Sequence, residues 1–182
     1  MALGNSENRY GWLAIVMHWL VAVAVFGLFG LGFWMVELSY YDDWYRQAPD
    51  IHRSVGILLF ITVVFRLLWK LLNPSPKPLP NHKRWEVISA HIAHWLLYLL
   101  MFVAMVSGYL ISTADGSSIS VFGMFEVPSV TGQIKGMEDT AGFVHYWSTW
   151  ALVALAGVHT LGALKHHVFD RDDTLLRMLG KS

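Results

Sequence analysis

Apolar positions along this chain gather into four long runs, separated by short stretches that are polar or rich in proline. The last run is the cleanest: no Asp, Glu, Lys or Arg occurs between Asp139 and Lys165, which leaves the 25 residues 140–164 uninterrupted. A helix of about 20 apolar residues, rising 1.5 Å each, already crosses a hydrocarbon core of about 30 Å. The first run, 12–36, carries no charge, and Tyr10 and Trp12 at its start suit a membrane interface. The second spans 51–72, with Arg66 and Lys70 towards its end, and the third spans 85–112. Between them, residues 73–81 read NPSPKPLPN; four prolines in nine positions cannot continue a helix and predict a stiff hairpin linker. Residues 114–139 read as a loop containing Gly and Ser, with an apolar patch at 121–125 placed in the interface. The pattern predicts an all-α fold, an integral membrane four-helix bundle of antiparallel spans.

Composition agrees. Of 182 residues, 55% are hydrophobic and 14% charged, against about 25% charged in ordinary soluble domains. One transmembrane domain therefore accounts for residues 1–182, with the lipid bilayer as its solvent. The formal net charge is zero, so nothing points to a nucleic-acid partner. The absence of cysteine excludes disulfides, thiolate-held zinc, iron–sulfur clusters and covalently attached haem. The first apolar run is too long for the core of a signal peptide and is expected to be retained.

Loop charges set the expected orientation. Arg66, Lys70, Lys77, Lys83 and Arg84 cluster around the proline linker, opposed only by Glu86. The first loop holds Glu37, Asp42, Asp43 and Asp50 against Arg46 and Arg53, and the third holds Asp115, Glu126, Glu138 and Asp139 against Lys135. The basic side, with both termini, is expected to be cytoplasmic.

Histidines bring chemistry into these spans. His145 and His159 lie 14 residues apart, four turns of a supercoiled helix, and so share one face about 21 Å apart along the axis. Imidazoles at membrane depth are functional candidates, or are satisfied by hydrogen bonds to neighbouring helices. Depth pairs them with others: His52 opens the second run near the outer face, like His145, and His18 lies two turns into the first, near the inner face, like His159. Two layers of paired imidazoles are what two haems need when each iron takes two axial nitrogens. Arg66 follows His52 by 14 residues, which places it at the inner layer for haem propionates, or as a snorkelling interfacial cation. His91 and His94 compete for the inner site and are ranked as hydrogen-bonding or propionate-side residues. His166 and His167 lie at the inner boundary, where a quinone head group is hydrogen-bonded, or form a solvated pair. His82, in the linker, is expected to be exposed.

These residues together resemble the bacterial four-span cytochrome b561 family over nearly the whole chain. The resemblance rests on His18-Trp19, His52 followed by Gly56, the run VVFRLLWKLLNPSP around Arg66, His91 and His94, His145, His159, His166-His167, and the DDTLLRM stretch at 172–178. It implies two haems b, on His18 with His159 and on His52 with His145, in the bacterial inner membrane. Members similar to this sequence are implicated as superoxide oxidases, passing electrons from periplasmic superoxide to ubiquinone. Superoxide would have to be drawn by Arg46, Arg53 or Lys135 within an otherwise acidic outer rim. A second reading is a dihaem subunit linking the quinone pool to a redox partner protein, a dehydrogenase or hydrogenase. A third, a metal or haem transporter, finds no loop tract of His with carboxylates.

Overall fold

The computed structural model describes residues 2–181. In chain order its elements are α1 (Trp12–Met35), α2 (Gln47–Leu72), α3 (Arg84–Ser112), β1 (Ile119–Val121), β2 (Phe125–Val127), α4 (Met137–Lys165), one π turn (His166–Asp170) and α5 (Thr174–Met178). Four helices are long and apolar enough to span a membrane, the fourth counted through the π turn. Their large apolar side chains are mostly outward, as with Val23 at 72% exposure, Phe143 at 67% and Leu72 at 82%. Apolar belts of this extent are untenable in water and are what lipid-facing helices carry.

Two helices begin earlier than their apolar runs. In α2 the first turn is Gln47, Ala48, Pro49 and Asp50. Proline is tolerated there because its missing N–H has no helical partner, and Asp50 complements the positive end of the helix dipole. Likewise α4 starts at Met137 and places Glu138 and Asp139 in its first turn.

The chain forms two compact units. One comprises the N-terminal stretch to Ala22, Thr62–Tyr98 and the chain from Ala154 on; the other comprises Val23–Ile61 and Leu99–Val153. The first unit therefore holds the N-terminal stretch, the proline linker and the C-terminal tail, and the second holds both acidic loops.

In the first unit, three segments remote in sequence lock together. Asn5 Nδ2 donates to the Pro74 carbonyl at 3.0 Å, the Lys77 amide donates to the Glu7 carbonyl at 2.7 Å, and Arg177 Nη1 donates to the Lys77 carbonyl at 2.8 Å. Trp19 Nε1 donates to the Met178 carbonyl at 2.8 Å, which ties α5 to α1. Gly11 allows this closure, since a Cβ there would come within 2.3 Å of the Leu3 carbonyl oxygen.

In the second unit, Phe60 and Phe102 meet edge to face at 5.9 Å, and Phe29 and Trp150 at 5.0 Å. The structure is mostly helical, but the reading of 114–139 as loop is corrected here: β1 and β2 form an antiparallel hairpin within it, pairing Val121 with Phe125. Its turn places Phe122 at φ 49 and Gly123 at φ 69, closed by the Met124 amide on the Val121 carbonyl at 2.9 Å. Two successive residues with positive φ make the primed turn that matches strand twist. Buried Ser54 of α2 fastens the hairpin, accepting from the Phe122 amide at 3.1 Å and donating to the Ser120 carbonyl at 3.3 Å. The patch at 121–125 is consequently split: Val121 is fully buried, whereas Phe122, Met124 and Phe125 are exposed.

Candidate functional site

In the second unit, α2 and α4 bring His52 and His145 together, with ring centres 6.2 Å apart and planes at 75°. His145 Nδ1 lies 2.8 Å from the Ala104 carbonyl oxygen and 3.4 Å from Ser107 Oγ. A carbonyl only accepts, so Nδ1 carries the proton and Nε2 keeps its lone pair. His52 Nδ1 is buried and has no partner among the described residues. Such a nitrogen costs free energy unless something beyond the polypeptide completes its surroundings. Two glycines make room for the rings. A Cβ at Gly108 would sit 3.0 Å from His145 Cε1, and one at Gly32 would sit 3.1 Å from His52 Cε1.

In the first unit, His159 of α4 faces two imidazoles. His18 of α1 is 6.3 Å away between ring centres, and His94 of α3 is 5.2 Å away. Arg66 Nη2 lies 2.9 Å from His18 Nδ1; a guanidinium only donates, so Nδ1 accepts and the imidazole proton sits on Nε2, and a metal at His18 Nε2 would require Arg66 to give up this contact. The Arg66 guanidinium also stands over the Tyr98 ring at 5.5 Å, and Lys70 Nζ over Trp95 and Tyr98 at 4.7 and 5.1 Å. Among the described residues no carboxylate pairs with either cation, so this pocket holds uncompensated positive charge suited to an anionic group. Tyr10, outside the spans, is pushed above its ordinary value by burial, against the pull of Arg177 and Arg66, and so remains a neutral phenol. His91 is exposed, and its Nδ1 lies 2.7 Å from the Val87 carbonyl of its own helix.

His166 is placed apart from these pairs. Its Nδ1 lies 2.9 Å from Asp172 Oδ2 and 3.0 Å from Asp170 Oδ2, and its ring rests against that of His82 at 4.6 Å. His167 is exposed. The exposed linker histidine expected at position 82 is instead largely covered, its side chain 14% exposed, because Asp172 and Thr174 from the tail reach its Nε2 at 3.2 and 3.1 Å. Burial opposes ionisation of Asp172, but hydrogen bonds from Thr174, Asn81 and His166 outweigh it and hold the carboxyl well below the usual range.

Of the three cations expected on the outer side, Arg53 is paired with Asp50. Arg46 lines a cleft of about 440 Å³ with Tyr40, Asp42, Asp43, Tyr45 and Gln47.

Residues 9–181 match the family described as prokaryotic cytochrome b561. The chain is 50% identical to "Cytochrome b561 homolog 2" of Escherichia coli (strain K12) over 182 residues, covering 100% of this chain and 97% of that protein. It is 32% identical to "Probable superoxide oxidase CybB" of Yersinia pestis over 180 residues, covering 96% and 98%. It is 27% identical to "Cytochrome b561 homolog 1" of Escherichia coli (strain K12) over 177 residues, covering 94% and 97%.

The chain belongs to the prokaryotic cytochrome b561 family.

This cytochrome b561 is thus a multi-pass membrane protein of electron transport, and its family implies haem b. The residues fit that group. Metal–imidazole bonds of about 2 Å on each side, with each nitrogen about 1.1 Å from its ring centre, set ring centres about 6 Å apart. The distances found, 6.2 and 6.3 Å, leave room for one iron in each pair. Without cysteine, such haem is held non-covalently. Sequence reasoning had missed Gly32, Ser107 and the Ala104 carbonyl, since nothing in a sequence shows which backbone oxygen an imidazole on another helix will reach.

Proposed function

We propose that this cytochrome b561 binds two haems b, one on His52 and His145 and the other on His18 and His159, and carries electrons across the bacterial inner membrane from periplasmic superoxide to ubiquinone. The observation that supports it most is the existence of two separate imidazole pairs with nearly the same spacing, 6.2 and 6.3 Å. Bound haem supplies one-electron transfer at a potential tuned by its surroundings. The chain's own residues do the rest. The Ala104 carbonyl orients His145, the glycines at 32 and 108 admit the rings, and Arg66 and Lys70 supply positive charge for propionates. His166 and His167, at the other end of α4, hydrogen-bond the quinone head group. Two superoxide ions each give up one electron and leave as oxygen, while ubiquinone takes both electrons and two protons.

The basic linker and both termini face the cytoplasm, in keeping with the excess of Lys and Arg around 66–84. Because Arg53 is paired with Asp50, Arg46 and Lys135 are the outer cations that attract superoxide. The relative named a probable superoxide oxidase, 32% identical, supports the choice of donor. Stopped-flow mixing of the oxidised cytochrome with superoxide, with and without ubiquinone, tests the reading. Fast haem reduction that is reversed by ubiquinone is expected. Haems inert to superoxide would instead favour a subunit linking quinone to a partner dehydrogenase or hydrogenase.

A further inference from the structure

Apart from the two histidine pairs, one further group of ligating side chains gathers at the polar end of the first unit; His166 enters it through Nδ1, which leaves its Nε2–H for the quinone head group. His82 comes from the proline linker, His166 from the π turn that ends α4, and Asp172 from the loop before α5, and each is partly buried. From these we infer that this cytochrome binds a divalent transition metal such as zinc through His82 Nε2, His166 Nδ1 and a carboxylate oxygen of Asp172. The three ligand atoms lie within 4.8 Å of one another. A tetrahedral metal with bonds of about 2.0–2.1 Å has ligand-to-ligand edges of about 3.3 Å. Two of the three edges are already near that length, His82 Nε2 to Asp172 Oδ2 at 3.2 Å and His166 Nδ1 to Asp172 Oδ2 at 2.9 Å.

The surroundings support ligation. Asp172 is oriented from outside the cluster, by Asn81 Nδ2 on Oδ2 at 3.2 Å and by the Thr174 amide on Oδ1 at 2.9 Å, as ligating carboxylates are in metal sites. Two imidazoles and one carboxylate suit zinc, ferrous iron or nickel rather than magnesium or calcium. A second group, Glu86, His166 and Asp170, shares His166 but is already served by a cation. Lys165 Nζ lies 2.7 Å from Glu86 Oε1 and 2.6 Å from Asp170 Oδ2. The group of His82, His166 and Asp172 has no ammonium of its own, so the divalent ion belongs with His82. Bound there, it joins linker, helix end and tail, segments up to 90 residues apart in sequence.

The test uses the haem-loaded protein, so that the span histidines assigned to iron are occupied. After chelator treatment it is dialysed against zinc chloride, and bound zinc is counted by plasma mass spectrometry. One zinc per chain is expected, with affinity falling about tenfold or more in His82→Ala and about 10–100-fold in Asn81→Ala, whose side chain orients the ligand. Glu86→Gln should leave binding unchanged, and the haem spectrum of each variant reports its folding. X-ray absorption of the zinc-loaded wild type should show two imidazole rings and bonds of about 2.0–2.1 Å. Absence of stoichiometric zinc, fewer than two imidazoles around it, undiminished affinity in His82→Ala, or binding lost in Glu86→Gln would each overturn the assignment. None of these readouts depends on quinone or superoxide, so failure here leaves the electron-transfer reading standing.

Discussion

His145 of α4 is oriented by Ala104 of α3: Nδ1 lies 2.8 Å from the carbonyl oxygen, one turn before Gly108, whose Cβ position would be 3.0 Å from His145 Cε1. The backbone of α3 thus both aims the imidazole and makes room for it. Replacing Gly108 by Val should push the ring off that carbonyl, destabilise the protein by about 1–3 kcal/mol through overpacking, and lower haem content. Haem absorbance per chain and thermal unfolding check both effects; a variant with the wild-type spectrum and stability would show that the close approach is not required.

Arg66 puts positive charge beside His18, Lys70 lies over Trp95 and Tyr98 in the same unit, and neither has a carboxylate partner among the described residues. A nearby cation favours the reduced form of a bound haem, because it opposes the charge left on oxidation. Arg66→Met should therefore lower the midpoint potential of the haem on His18 and His159, by roughly 60 mV if the lost interaction is about 1.4 kcal/mol in a one-electron couple. Redox titration followed at the haem bands reads this, and an unchanged or raised potential would place the guanidinium elsewhere.

The runs that became α1 and α4 carry no charged residue and that of α3 only Glu86, near its start; charge is excluded from lipid, so such runs mark a span directly. The extra first turns of α2 and α4 were not, since Asp50, Glu138 and Asp139 look like loop residues until the helix dipole is considered. Strands of three residues leave no alternation to read, which is why the hairpin was taken for loop. The proximity of His145 to His52 and of His159 to His18 follows from a 14-residue spacing and from antiparallel spans, whereas the approach of His94 to His159 sets a choice that spacing cannot make. The partners of His82 lie 90 and 92 residues away in the tail, beyond any local pattern.

That choice can be made by substitution. If His18 is the ligand opposite His159, His94→Leu should keep the full haem complement, while His18→Leu should lose about half of it. Pyridine haemochrome assays on the two variants decide the matter, and the reverse pattern would move the site to His94.

The hairpin supplies a pH dependence. Glu126 is held below its ordinary value of 4.5, first by the Ser118 hydroxyl, whose Oγ is 2.6 Å from Oε2, and then by Ser120. A depressed carboxyl adds stability above its ordinary value and loses it as pH falls through the value in the folded chain. Amide exchange across residues 119–127 should be slow at neutral pH and quicken below about pH 4.5 relative to its intrinsic rate, and Ser118→Ala should remove most of that dependence. Equal protection at pH 3 and pH 7 would contradict the assignment.

The most direct test of the whole account is the number of haems per chain. Purified wild-type protein should contain two haems b, and His145→Ala and His159→Ala should each retain about one, with different spectra. One haem in the wild type, or two in either variant, would contradict the two imidazole pairs on which the electron path depends.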